Sequence, residues 1–126
     1  MAKQSKLSTE ELRQQTIAEA RQLLIEGGPE QVKARVLAVR MGISVGSIYN
    51  LFGQLEELLF LVNAEVYDEL LDVVKAAIDR TGSDAAPEDR VLALCRAYLE
   101  FVSANQNLWS GVLAFNRQSK STVPRW

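Results

Sequence analysis

Apolar residues recur along this chain at helical spacing, and the signals that interrupt them divide it into six predicted helices. Ser8-Thr9-Glu10-Glu11 has the pattern of a reciprocal cap: Ser8 can accept from the Glu11 N–H while the Glu11 carboxylate reaches back to the Ser8 N–H. Leu12, Ile17, Ala20, Leu23 and Leu24 then follow near helical spacing, so a first helix is predicted over about 9–26, stopped by Gly27-Gly28-Pro29. Val32 to Met41 reads as a shorter second helix with Leu37, Ala38 and Met41 on one face and Gly42 at its end. Ile43 anchors the turn. Ser44 offers a capping oxygen for a third helix over about 45–51, whose Ile48 and Phe52 point inward and which Gly53 closes.

The second half has longer periods. Leu55, Leu58, Leu59, Leu61, Val62, Val66, Leu70, Leu71, Val74, Ala77 and Ile78 predict a fourth helix to about Arg80, buried along much of its length. Thr81 to Pro87 reads as a loop. A fifth helix over about 88–104 carries Val91, Leu92, Leu94, Cys95, Tyr98, Leu99 and Val102. Asn105-Gln106-Asn107 is a predicted break before a last short helix, 108–115, and the tail from Arg117 has no periodicity. No segment reads as a strand, so the fold class is all-α, and 126 residues suit one domain or one small domain with part of another.

Composition narrows the chemistry. With no histidine in the chain, Ser-His-Asp or Cys-His nucleophilic catalysis and histidine metal sites are excluded, and an enzyme is not expected. The one cysteine, Cys95, lies in an apolar run and reads as a buried packing residue. No cofactor or metal site is expected; the acidic row Glu65, Asp68, Glu69 and Asp72 reads as a solvated helix face. No leader-like or membrane-spanning run is present, which predicts a cytoplasmic protein without a membrane partner. The net charge of −2 is unevenly placed: residues 1–53 carry seven basic and five acidic side chains, the remainder seven basic and eleven acidic. A weakly basic head on an acidic body is compatible with nucleic-acid binding.

The segment 36–52 sharpens that reading. A helix-turn-helix needs a small residue where its helices cross, a glycine at the turn, and apolar anchors that set the angle; Ala38, Gly42 and Ile48 fill those places. Leu37-Ala38, then Arg40-Met41-Gly42-Ile43-Ser44-Val45-Gly46-Ser47-Ile48-Tyr49-Asn50-Leu51-Phe52-Gly53, then Glu56-Glu57-Leu58-Leu59, resembles the signature of the tetracycline-repressor (TetR) family of bacterial transcription regulators. With the Gly27-Gly28 ending of the first helix, the likeness covers about residues 12–60. The segment 88–115 is more distantly similar to the start of one regulatory-domain subtype of that family.

The resemblance implies a helix-turn-helix DNA-binding domain at 1–53, joined by the long fourth helix to a partial helical ligand-binding and dimerisation domain at 54–126. It implies that the third helix enters the major groove, with Val45, Gly46, Ser47 and Asn50 near base edges and Ser44 and Tyr49 near phosphates. Lys33 and Arg35 are expected to reach DNA, supported by Arg40 and by Lys3 and Lys6 of the N-terminal arm. Bland readings stand beside these: Tyr49 packing on the first helix, Asn50 as exposed filler, and Lys3 and Lys6 as solubilising charges. Val45, Leu51 and Leu55 depart from basic residues frequent at those places, so binding is expected to be weak or dimer-dependent. Phe60, Tyr67, Tyr98, Phe101, Trp109 and Phe115 are candidates to line a pocket for an unknown small-molecule effector, or are ordinary core.

The implied function is that of a ligand-responsive repressor binding a palindromic double-stranded DNA operator as a homodimer. The alternative is a helical ligand-binding or protein-interaction module that has lost operator binding. Family members usually continue into a last helix pair that forms the dimer bundle, so a shortened regulatory domain without that interface is expected here.

Overall fold

The computed structural model describes residues 7–118, and among these it contains six α-helices and no strand: α1 Thr9–Gly27, α2 Ala34–Met41, α3 Val45–Phe52, α4 Leu55–Arg80, α5 Pro87–Ala104 and α6 Gln106–Gln118. The fold class is all-α, as predicted. The expectations placed on Lys3, Lys6 and the tail beyond 118 lie outside the described residues.

The helix ends follow from local chemistry. At α1, Ser8 Oγ accepts the Glu11 N–H at 3.1 Å, one half of the predicted reciprocal cap. Its other end closes when the Gly28 N–H donates to the Leu24 carbonyl at 2.8 Å. Pro29 then starts a 3-10 turn over Pro29–Gln31, and this displaces the start of α2 to Ala34 rather than the predicted Val32. Val32 is instead extended with its side chain in the core, and Lys33, also extended, is the N-cap of α2 without a side-chain capping bond. Burial of the Val32 side chain overrides the helical periodicity that the residue shares with Leu37 and Met41.

One hydrophobic core joins the helices: Ile17, Leu23 and Leu24 of α1, Leu37 and Ala38 of α2, Ile48 and Phe52 of α3, Leu58, Val62 and Val66 of α4, Phe101 of α5, and Leu108 and Val112 of α6. Burying a side chain as completely as Ile48 contributes about 1.5–3 kcal/mol, far more than the intrinsic helicity of an eight-residue segment. The short helices thus depend on α1 and α4. Helix α6 packs on α1, on the 3-10 turn and on α4. At Gly111 it comes so close to α1 that a Cβ would lie 3.0 Å from Leu24 Cδ2.

Three expectations are corrected. The first half of α4 is buried along one side, but Leu71 and Val73 in its second half are exposed. On α5 only Ala97 and Phe101 are buried; Val91, Leu92, Leu94 and Leu99 face solvent, and Cys95 is exposed rather than a packing residue. Periodicity marks an apolar face but does not say whether another element covers it. Finally, the break before α6 is the single residue Asn105, and the helix runs from Gln106 through Gln118 rather than 108–115. Among the described residues no helix is long and apolar enough to cross a membrane.

Candidate nucleic-acid interface

The turn between α2 and α3 is set by one left-handed residue. Gly42 has φ 66° and ψ 32°, and the Ile43 N–H reaches back to the Ala38 carbonyl at 3.0 Å, the six-to-one bond of a Schellman ending. Ser44 is extended and caps α3, its Oγ accepting the Ser47 N–H at 3.1 Å. Ile48 and Phe52 anchor α3 in the core from one side. The other side therefore faces outward.

That outward side gathers four of the predicted contact residues. Val45 (36% exposed), Gly46, Tyr49 (47% exposed) and Asn50 are all open to solvent, with 45 and 49, and 46 and 50, one helical turn apart. Tyr49 leaves about half of its side chain open to solvent. Ser44 is exposed as well, while Ser47 is half-buried and its hydroxyl lies 2.9 Å from Ser44 Oγ, so both hydroxyls hold the helix start together. Lys33 and Arg35 are exposed at the start of α2 and take part in none of the ion pairs among the described residues.

Arg40 has partners within the protein. Its guanidinium pairs with Glu26 and, at 3.5 Å, with Glu19, tying α2 to α1. The hydrogen bond from Arg40 holds the Glu26 carboxyl below its ordinary pKa, and Glu26 in turn raises that of Arg40. A second arginine was not among the candidates at all. Arg13 of α1 donates to the Leu51 carbonyl in the last turn of α3, and its guanidinium lies over the Phe52 ring at 4.8 Å. The available signal was its place one turn before Ile17 on the apolar stripe of α1, where a charge is out of pattern. Leu51 and Leu55 are half-buried against the core.

Residues 17–62 match the family model for bacterial regulatory proteins of the tetR family. The segment 17–62 carries a tetR-family domain. The matched segment runs from α1 through α2 and α3 into α4, and it is the family's helix-turn-helix DNA-binding domain. The chain is also 30% identical, over 117 residues covering 87% of its length, to the HTH-type transcriptional regulator PksA of Bacillus subtilis (strain 168). It spans 54% of that relative, about half its length. Both comparisons point to a regulator rather than an enzyme.

The six candidate pocket aromatics divide. Phe60 and Phe115 pair with ring centroids 6.4 Å apart, and with Tyr67 they line a groove of about 290 Å³ between α4 and α6, together with Asn63, Ala64, Asp68 and Asn116. Tyr67 and Tyr98 each stand edge-on to Trp109, at 5.9 and 5.7 Å, so Tyr98 and Trp109 form a stack beside the groove rather than its lining. Phe101, 7% exposed, belongs to the core. Asn63 is 5% exposed, and its Oδ1 has no hydrogen-bond partner among the described residues. The acidic row is more than a solvated face: Glu69 pairs with Arg21 of α1 at 2.8 Å and Glu65 lies 4.0 Å from the same guanidinium. Among the described residues no group of three or more His, Cys, Asp or Glu is arranged to hold a metal ion.

Proposed function

We propose that this protein is a tetR-family transcriptional repressor that reads a palindromic DNA operator with α3 and is released by a small-molecule effector. The outward face of α3 carries the reading: Val45, Gly46, Tyr49 and Asn50 stand clear of the core on a helix whose start is capped and whose opposite side is anchored. Asn50 suits bidentate contact with adenine, Val45 covers a thymine methyl, and Gly46 lets the backbone approach the bases. Ser44 and Tyr49 offer hydroxyls to the phosphates, with Ser47 near the base edges and Lys33 and Arg35 supplying charge from α2. Residues 1–53 act as the DNA-binding head and 54–126 as the ligand and dimerisation part. Two heads bind as a homodimer with half-sites about 34 Å apart or a multiple of that, and the reaction takes place in the cytoplasm without cofactor or turnover. The groove at Phe60, Tyr67 and Phe115 is the place where the effector is sensed.

One observation favours a second reading, a helical ligand-binding or protein-interaction module without operator binding. The outward face of α3 carries no cation, and Arg40 is consumed by Glu26 and Glu19. Selection from a randomised duplex pool, followed by mobility shifts across a salt series, separates the two. A regulator enriches a palindrome, and Asn50→Ala or Tyr49→Ala abolishes the specific shift. Equal affinity for all sequences refutes the proposal.

A further inference from the structure

We propose that Arg13 is a positioning residue for sequence recognition, holding the C-terminal end of α3 so that its outward face meets the bases at one angle. The inference rests on the reading of α3 as the DNA-reading helix. Helix α3 has only eight residues, too few to keep its own geometry, so its angle is set by what grips its two ends. The first end is gripped by Ser44 and the Gly42 turn. The second has α1 as a neighbour, and Arg13 of α1 reaches it through two contacts on consecutive residues.

These contacts differ in kind, and together they define an orientation. The guanidinium donates to the Leu51 carbonyl, one of the last-turn carbonyls that a helix leaves without an internal partner. A cation there also meets the negative end of the helix dipole. The same group lies 4.8 Å from the centroid of the Phe52 ring, which is itself fixed in the core. A carbonyl bond alone leaves α3 free to rotate about that point, and a ring contact alone leaves it free to slide. Both at once, made by one planar group, restrict both motions, and a lysine ammonium lacks the planar fork that does this.

The base of the grip is firm. Arg13 sits one turn before Ile17 on a helix whose Ala20, Leu23 and Leu24 are buried and whose Arg21 is paired with Glu69 and Glu65 of α4. Since the guanidinium is committed within the protein, Arg13 contributes to the choice of sequence without itself contacting phosphate. A phosphate-binding arginine and a merely stabilising one both predict different data.

The test uses the full chain, the duplex recovered from a randomised pool, and a mixed-sequence duplex of the same length. For Arg13→Met the affinity ratio between the two duplexes is expected to fall at least about tenfold, the scale of losing one good base contact. Mixed-sequence affinity and the salt slope should stay unchanged, and Arg13→Lys should recover only part of the ratio. Arg90→Met, which removes bonds to the Gly82 and Ser83 carbonyls in the loop before α5, controls for stability and should leave the ratio intact. Hydrogen exchange read by peptide over 45–53 should quicken in Arg13→Met and not in Arg90→Met. An unchanged ratio in Arg13→Met overturns the proposal, as does a salt slope reduced by about one unit, which would identify a phosphate contact. A pool that enriches no duplex refutes the regulator reading, and the exchange over 45–53 then still decides whether Arg13 holds α3: unchanged exchange overturns that too.

Discussion

Replacing Gly42 and Gly46 separately by alanine should move stability in opposite directions, although both lie within the same turn-and-helix unit. Gly42 has φ +66°, and a Cβ built there meets nothing within 4 Å, so the cost of Gly42→Ala is purely conformational. An L-residue in the left-handed region costs about 1–2 kcal/mol. Lower entropy of the unfolded chain returns about 0.4–1 kcal/mol, leaving a net loss near 1 kcal/mol. Gly46 is the second residue of α3, and the nearest atom to its Cβ position is Ser44 Oγ at 3.8 Å, an ordinary contact. There the helix preference for alanine acts unopposed, adding about 0.5 kcal/mol near a helix end.

Urea unfolding followed by far-ultraviolet circular dichroism reads both effects, with Gly42→Asn as comparator because asparagine tolerates the left-handed region better than alanine. The expected order of midpoints is Gly46→Ala, wild type, Gly42→Asn, Gly42→Ala. Mobility shifts complete the comparison, since Gly46→Ala places a methyl group on the outward face of α3 and should weaken specific binding while strengthening the fold. A Gly42→Ala protein as stable as wild type would refute the argument that this turn requires a left-handed residue. A destabilised Gly46→Ala would show that the space around that position is tighter than its 3.8 Å neighbour implies.

Three further outcomes follow from single contacts. Ser44→Ala removes the oxygen that accepts the Ser47 N–H, and should cost about 1 kcal/mol in the same unfolding assay, with Ser44→Asp close to wild type. The Glu26–Arg40 pair contributes stability above the unfolded carboxylate's pKa, because the folded value is lowered, and loses it as pH falls through the folded value. Wild type and Glu26→Gln should therefore differ in melting temperature at neutral pH and converge in acid or in high salt; a gap that persists at low pH would show that the charge pair is not its cause. Asn63→Leu replaces a buried amide whose oxygen has no partner among the described residues, and should raise the unfolding free energy by about 1 kcal/mol, whereas a loss would mean that the amide is satisfied in solution.

The helix-turn-helix was legible because its determinants are local. Ser44, Gly42, Ile48 and Phe52 lie within eleven residues of one another, and each acts through backbone geometry or helical phase that sequence spacing records. The observed α3 extends one residue beyond its predicted end. What escaped were effects of contacts across the fold. The late start of α2 comes from burial of Val32, and the partners that engage Arg40 are Glu26 and Glu19 on another helix. Tyr98 and Trp109 carry the same aromatic signal as Phe60 and Phe115, yet only the latter pair lines the groove. Residue type identified candidates for a pocket; the register of α4 against α6 selected among them.

Helix α1 then takes a role that its sequence does not advertise. Its Arg13 holds α3, its Glu19 and Glu26 hold Arg40 of α2, and its Arg21 holds Glu65 and Glu69 of α4. Its Leu24 faces Gly111 on α6, where an added methyl group would lie 3.0 Å from Leu24 Cδ2 and require that side chain to shift by a few tenths of an ångström. Close-packed contacts of this kind transmit displacement, because a gap cannot open or close by a few tenths of an ångström without loss of packing energy. On the proposed reading, a ligand that wedges α6 away from α4 in the groove presses first on α1, and α1 carries α3 with it through Arg13. On that reading the angle of the reading face is coupled to the groove through Arg13, and faster hydrogen exchange over 45–53 on ligand binding is the signature that this route requires.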